Sequence, residues 1–109
     1  MTSGELIAWG FVMHNVADWL LQNDWMAVNK VRGLGLAAWV HGLIYGLCMW
    51  PIFGAVGGLA LMLWHVAVDT RVPVDWLIRI MRKTDNQTVR LGVDQALHYL
   101  LIALIAGTG

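Results

Sequence analysis

The sequence predicts an all-α protein: a four-helix transmembrane bundle with a short amphipathic interfacial helix between helices 3 and 4. Three observations predict it. Hydrophobic residues make up 59% of the 109 residues and charged residues only 13%, against about 25% charged in an average soluble domain. Four apolar segments of near-spanning length follow one another. All seven lysines and arginines fall in two places, in or at the edge of the loops between them.

The segments run over about 5–22, 34–50, 52–69 and 89–106, and the whole of 1–109 is expected to form a single integral-membrane domain. Pro51 is expected to break the chain between the second and third, leaving a tight turn with Trp50 at the interface. The opening "MTSGELIAWG" has no basic n-region or small-residue cleavage site, and is expected to begin a retained first helix. Lys30 and Arg32 follow the first segment, while Arg71, Arg79, Arg82, Lys83 and Arg90 lie between the third and fourth. With four crossings these two loops share a side, which the positive-inside rule makes cytoplasmic, with both termini on the other side.

Between segments three and four, "VDWLIRIMRK" over 74–83 is too short and too charged to span. Asp75, Arg79, Arg82 and Lys83 share a helical face, with Trp76, Leu77, Ile80 and Met81 largely on the others, as suits a helix lying in the interface. Gly42 with Gly46, and Gly54 with Gly58, form GxxxG faces that serve helix contact, within the bundle or between protomers. Cys48, the single cysteine, reads as a small buried hydrophobe. The near-zero net charge gives no reason to expect a nucleic-acid partner; the expected partners are the bilayer and a second copy or a larger membrane assembly.

Each segment carries one histidine: His14, His41, His65 and His98. Three have an aspartate four residues away on the same face, Asp18, Asp69 and Asp94. At 1.5 Å per residue these groups lie about 7–14 Å from the cytoplasmic ends of their segments, at overlapping depths. Helices turning these faces inward gather four imidazoles and three carboxylates in one half of the bundle. An ionised aspartate at a span centre costs about 2.5–3.5 kcal/mol, and no lysine or arginine lies within a span to pair with it. The counter-charge must come from protonated histidines, protonated carboxylates, a snorkelling loop base or a bound cation.

A divalent metal accounts for most of these features at once, because imidazole and carboxylate at i and i+4 can grip an ion from consecutive turns. Mixed nitrogen and oxygen ligation suits zinc, manganese or iron. The expected ligands are His14, Asp18, His41, His65, Asp69, Asp94 and His98. His41, with no aspartate partner of its own, is the weakest member, and a hydrogen-bonded interhelical contact is the alternative for any one histidine alone. Gln22, Tyr45 and Gln95 are candidates to hold the ligands or to bond between helices. Lys30 is either a positive-inside charge or a contact for an anionic substrate.

Four blocks, "HNVADWLLQNDWMAVNK", "HGLIYGL", "WHVAVD" and "VDQALHYLLI", resemble the successive motifs of a bacterial family of small membrane proteins described as a domain of unknown function. The resemblance marks His14, Asp18, Gln22, Met26, Ala27, Lys30, His41, Tyr45, His65, Asp69, Asp94, Gln95 and His98, and implies the bacterial inner membrane. The motif style is similar to that of inner-membrane metal-dependent hydrolases. The leading expectation is therefore a membrane-embedded metal-dependent hydrolase, with Asp18 or Asp94 as general base, acting on a lipid-linked or amphipathic ester or phosphoester. The alternative is a non-catalytic accessory subunit of a larger membrane complex, with the polar cluster as a structural or ion-binding site. Haem ligation and ion transport are weaker readings.

Overall fold

The computed structural model describes residues 1–30 and 35–108; Arg32 and Leu34 lie outside the described residues. The fold is all-helical. Among the described residues it comprises α1 (Ser3–Asn15), a π-helical turn (Val16–Leu20), α2 (Asp24–Asn29), α3 (Leu36–Asp69), α4 (Val72–Ile80) and α5 (Gln87–Thr108). Two of these, α3 and α5, are long and apolar enough to cross a membrane by length and composition.

α1 begins at a capping box in which Thr2 Oγ1 accepts from the Glu5 backbone and Glu5 Oε1 accepts from the Thr2 backbone. This satisfies donors that a helix start otherwise leaves open. The expected uniform helix over 5–22 is not what forms. After Asn15 the chain widens into the π turn, closed by Leu21 N–H bonding to Val16 O at 2.9 Å. π turns are rare and concentrate at functional sites, and this one carries Asp18. A further helix, α2, follows; Asn23 caps it by accepting from Met26 N at 2.9 Å. Its six residues show no apolar run long enough to be read from sequence.

The second and third segments form the single element α3, and the break between them is displaced. Pro51 lies inside the helix, while the chain reverses at Gly54, at φ 78° and ψ 179°. Proline can keep a helical φ, so it weakens the helix without reversing it; a positive φ requires glycine. The two arms then run antiparallel, packed through small residues. A methyl group on Gly42 would overlap Val66 Cγ2, one on Gly46 would sit 3.0 Å from Met62 Cβ, and one on Gly58 would sit 3.2 Å from Gly46 O. Gly42, Gly46 and Gly58 therefore pack the arms against each other. Gly54 is the turn.

α4 starts two residues before the expected segment because Pro73 fits its first turn, where the missing N–H is not needed. Its inward ridge is Val74 and Ile78, packed on Val68, Trp64, Val89, Val93 and Leu97, while Trp76, Ile80 and Met81 are exposed. Arg71 precedes it at φ 69°, a left-handed conformation that costs a non-glycine residue about 1–2 kcal/mol. Arg90 ties α4 to α5: it donates to Asp75 Oδ1 at 2.6 Å and to both oxygens of Asp85 at 2.6 and 3.0 Å. These hydrogen bonds hold the Asp85 carboxyl below its ordinary range. The tie is therefore fully made above the usual carboxylate pKa and weakens only as pH falls through the lowered value.

Burial is inverted relative to a water-soluble bundle. His14, His41, His65, His98 and Asp69 are buried, while Trp9, Phe11, Leu43, Leu47, Trp50, Val56, Leu59, Leu100 and Leu104 face outward. Cys48 is half-buried against the cluster of Tyr45, Met49, Leu61 and Ile102.

Because the arms touch through Gly42 and a stiff β-branched partner, Gly42→Ala is expected to lower stability by about 1–3 kcal/mol. Gly92→Ala, on a helix with open space around it, should leave stability unchanged or raise it by up to about 1 kcal/mol. Thermal unfolding of both variants in one detergent checks the contrast, and equal effects would contradict the packing described.

Candidate metal centre

The three pairs at i and i+4 all close. His14 Nε2 lies 3.2 Å from Asp18 Oδ2, His65 Nε2 3.0 Å from Asp69 Oδ2, and His98 Nε2 2.9 Å from Asp94 Oδ1. Helical geometry brings such residues to one face. The fold then joins the pairs to one another. His41, which has no aspartate on its own helix face, reaches Asp18 Oδ1 at 2.9 Å, and His65 reaches the same oxygen at 3.3 Å. Asp69 turns Oδ2 toward His65 and Oδ1 toward His98 at 3.6 Å. Asp18 likewise divides its two oxygens between His14 and the His41–His65 pair.

The result is one connected cluster drawn from α1, the π turn, both arms of α3, and α5. Asp18 and Asp69 are buried; Asp94, 28% exposed, is the carboxylate at its edge. At its centre four atoms converge: His41 Nε2, His65 Nε2, Asp18 Oδ1 and Asp69 Oδ2. His41 and His65 Nε2 are 2.7 Å apart, and the remaining measured separations run from 2.9 to 3.8 Å. Ligands about 2.0–2.1 Å from a tetrahedral ion stand about 3.3 Å from each other. The donor set fits a cation, and Asp69 Oδ2 and His98 Nε2 are buried without a hydrogen-bond partner. Three overlapping groups can each hold a metal ion: His14 with Asp18 and His65, His41 with His65 and Asp69, and Asp69 with Asp94 and His98.

The supporting residues have distinct places. His14 has both ring nitrogens hydrogen-bonded: Nδ1 to the Tyr45 hydroxyl at 2.7 Å and Nε2 to Gln95 Oε1 at 2.8 Å. With Gln95 Oε1 accepting, Nε2 carries the proton and Nδ1 accepts from Tyr45. Tyr45 also stacks on His65, with ring centroids 3.9 Å apart. Gln22 donates to the Asp18 carbonyl at 3.2 Å, bracing the π turn rather than touching a carboxylate. Lys30, at the end of α2, brings its ammonium to 3.7 Å from Asp69 Oδ1. It is the loop base that reaches the cluster. Sequence reasoning missed Tyr99, whose ring packs edge-on against His14 at 4.7 Å. Its place directly after His98 was the only signal.

Tyr45→Phe keeps the stacked ring and removes only the hydroxyl, leaving a buried imidazole nitrogen unpaired. A loss of about 1–3 kcal/mol in thermal or chemical unfolding is expected, together with a shifted ¹⁵N resonance for His14. An unchanged resonance would contradict this assignment of the His14 hydrogen bonds.

No curated protein and no solved structure matches the chain. The family model described as protein of unknown function (DUF3307) matches residues 6–108. It covers all four motif blocks, and the chain belongs to that family.

Proposed function

We propose that this protein is a membrane-embedded, metal-dependent hydrolase of the bacterial inner membrane. In this reading α1 with its π turn, the two arms of α3, and α5 make four crossings, and α4 lies in the cytoplasmic interface. What supports the membrane setting is the inverted burial, with large apolar side chains outward and ionisable groups inward. Lys30, Arg71 and Arg90 gather at the end nearest the cluster, which favours that end as cytoplasmic and both termini opposite.

The observation that carries the metal reading is the convergence of His41 Nε2, His65 Nε2, Asp18 Oδ1 and Asp69 Oδ2. Charge supports it independently. The two buried carboxylates, of Asp18 and Asp69, meet one ammonium, that of Lys30. With neutral imidazoles a negative charge is left over, which a bound cation would offset. Zinc, manganese and iron all suit this donor set.

His41, His65, Asp18 and Asp69 would hold the ion, with His98 and Asp94 beside it. A divalent ion there supplies Lewis acidity toward water and the scissile group. His14 acts differently: its nitrogens are taken by Tyr45 and Gln95, so it braces α1 against α3 and α5 beside the cluster rather than ligating. Of the two candidate bases, Asp94 is favoured. Asp18 has both oxygens engaged by histidines, whereas Asp94 keeps partial exposure and can pass a proton to His98 at 2.9 Å.

Purified protein should retain stoichiometric zinc, manganese or iron in elemental analysis. His65→Ala should abolish retention, and chelation should lower the unfolding midpoint of the wild type. Asp94→Asn should keep the metal and lose hydrolysis. Metal-free protein of full stability would sink the proposal.

A further inference from the structure

Asp94 also faces a second feature, which the metal reading leaves unused. A cleft of about 450 Å³ lies between the start of α4 and the first turns of α5, lined by Arg71, Gln87, Thr88, Arg90, Leu91 and Asp94. Asp94 is thus shared: one side of it meets His98 and the other opens to the cleft. Whatever reaches the cluster by way of Asp94 passes these side chains.

The two arginines of the cleft differ in what they can do. Arg90 spends three N–H groups on Asp75 and Asp85, so it braces the wall and carries little free charge. The Arg71 guanidinium makes no hydrogen bond or ion pair among the described residues. Arg71 also holds a left-handed backbone, at φ 69°, where glycine is the ordinary residue. Arg71 is exposed on the cleft wall, so among the described residues its guanidinium is free to meet an anion that enters beside Asp94. Thr88 and Gln87 add a hydroxyl and a carboxamide to the same wall.

We propose that this cleft is the phosphate subsite of the enzyme, in which Arg71 holds the phosphate group of an amphipathic phosphoester beside Asp94 and the cluster. This rests on the hydrolase reading and names its substrate class. The guanidinium fork matches phosphate oxygens in pairs, and the cleft is larger than a phosphate, leaving room for the group it esterifies. Arg71 lies next to α4, whose exposed Trp76, Ile80 and Met81 suit an interfacial helix. That places the subsite at the level where lipid phosphates stand.

Calorimetric titration of the full chain in detergent tests this, with inorganic phosphate and with dihexanoyl phosphatidic acid as separate probes. Metal content is measured on the same samples. Arg71→Gly is the informative variant, because glycine takes the left-handed backbone without strain and only the guanidinium is lost. Arg79→Ala removes an equal charge from the adjoining helix α4, outside the cleft. Arg71→Gly should weaken binding about tenfold or more, while Arg79→Ala leaves it unchanged and both keep the metal content of the wild type. Equal losses in the two variants, no loss in Arg71→Gly, or no binding of either probe by the wild type would overturn the subsite. A wild type without metal, in which Arg71→Gly still loses binding, would support the subsite and remove the metal reading. A response to phosphatidic acid alone assigns the cleft to a lipid headgroup, and a response to both probes assigns it to phosphate itself.

Discussion

Two buried carboxylates govern this structure. Asp18 and Asp69 are removed from water, and an unpaired buried charge costs several kcal/mol. Each divides its oxygens between imidazoles on different helices. Neither α1 with its π turn, nor either arm of α3, can leave without stranding a charge. Local irregularities serve that constraint. The π turn carries Asp18 to where His41 can reach it, and the reversal at Gly54 sets His41 beside His65. α2 ends where Lys30 meets Asp69.

A polar interior of this kind needs packing that does not rely on a large apolar core. Glycine supplies it between the arms of α3, where Gly42, Gly46 and Gly58 allow backbones to approach. Apolar contact is confined to two satellite clusters, one above the histidines around Tyr45, Met49 and Ile102, and one under α4 around Val68 and Ile78. The large apolar side chains left outside are the feature that supports the proposed membrane setting. The Arg90 tie closes the polar end and holds α4 over the start of α5.

Much of the site was legible because helical periodicity is a strong constraint. His14 with Asp18, His65 with Asp69, and Asp94 with His98 share faces by spacing alone, and all three pairs close in the structure. What spacing cannot show is pairing across helices. That His41 borrows Asp18, that Tyr45 and Gln95 both go to His14, and that Lys30 folds back on Asp69 depend on crossing geometry. The break at Gly54 rather than Pro51 was missed for a local reason. Proline is the louder signal, but only a glycine tolerates the positive φ that a reversal needs. Spacing marked Trp76, Ile80 and Met81 as apolar positions around α4, but it could not show that Val74 and Ile78 are the ones packed inward.

The claim on which the rest depends is that imidazole nitrogens and carboxylate oxygens of this cluster surround a divalent ion. X-ray absorption at the metal edge of protein loaded with one equivalent of zinc measures this most directly. The account predicts a shell of nitrogen and oxygen at about 2.0–2.2 Å, with the outer-shell scattering of two or more imidazoles. That scattering should be lost in His41→Ala. A shell of oxygen alone, with no imidazole signature and no response to that substitution, would contradict it.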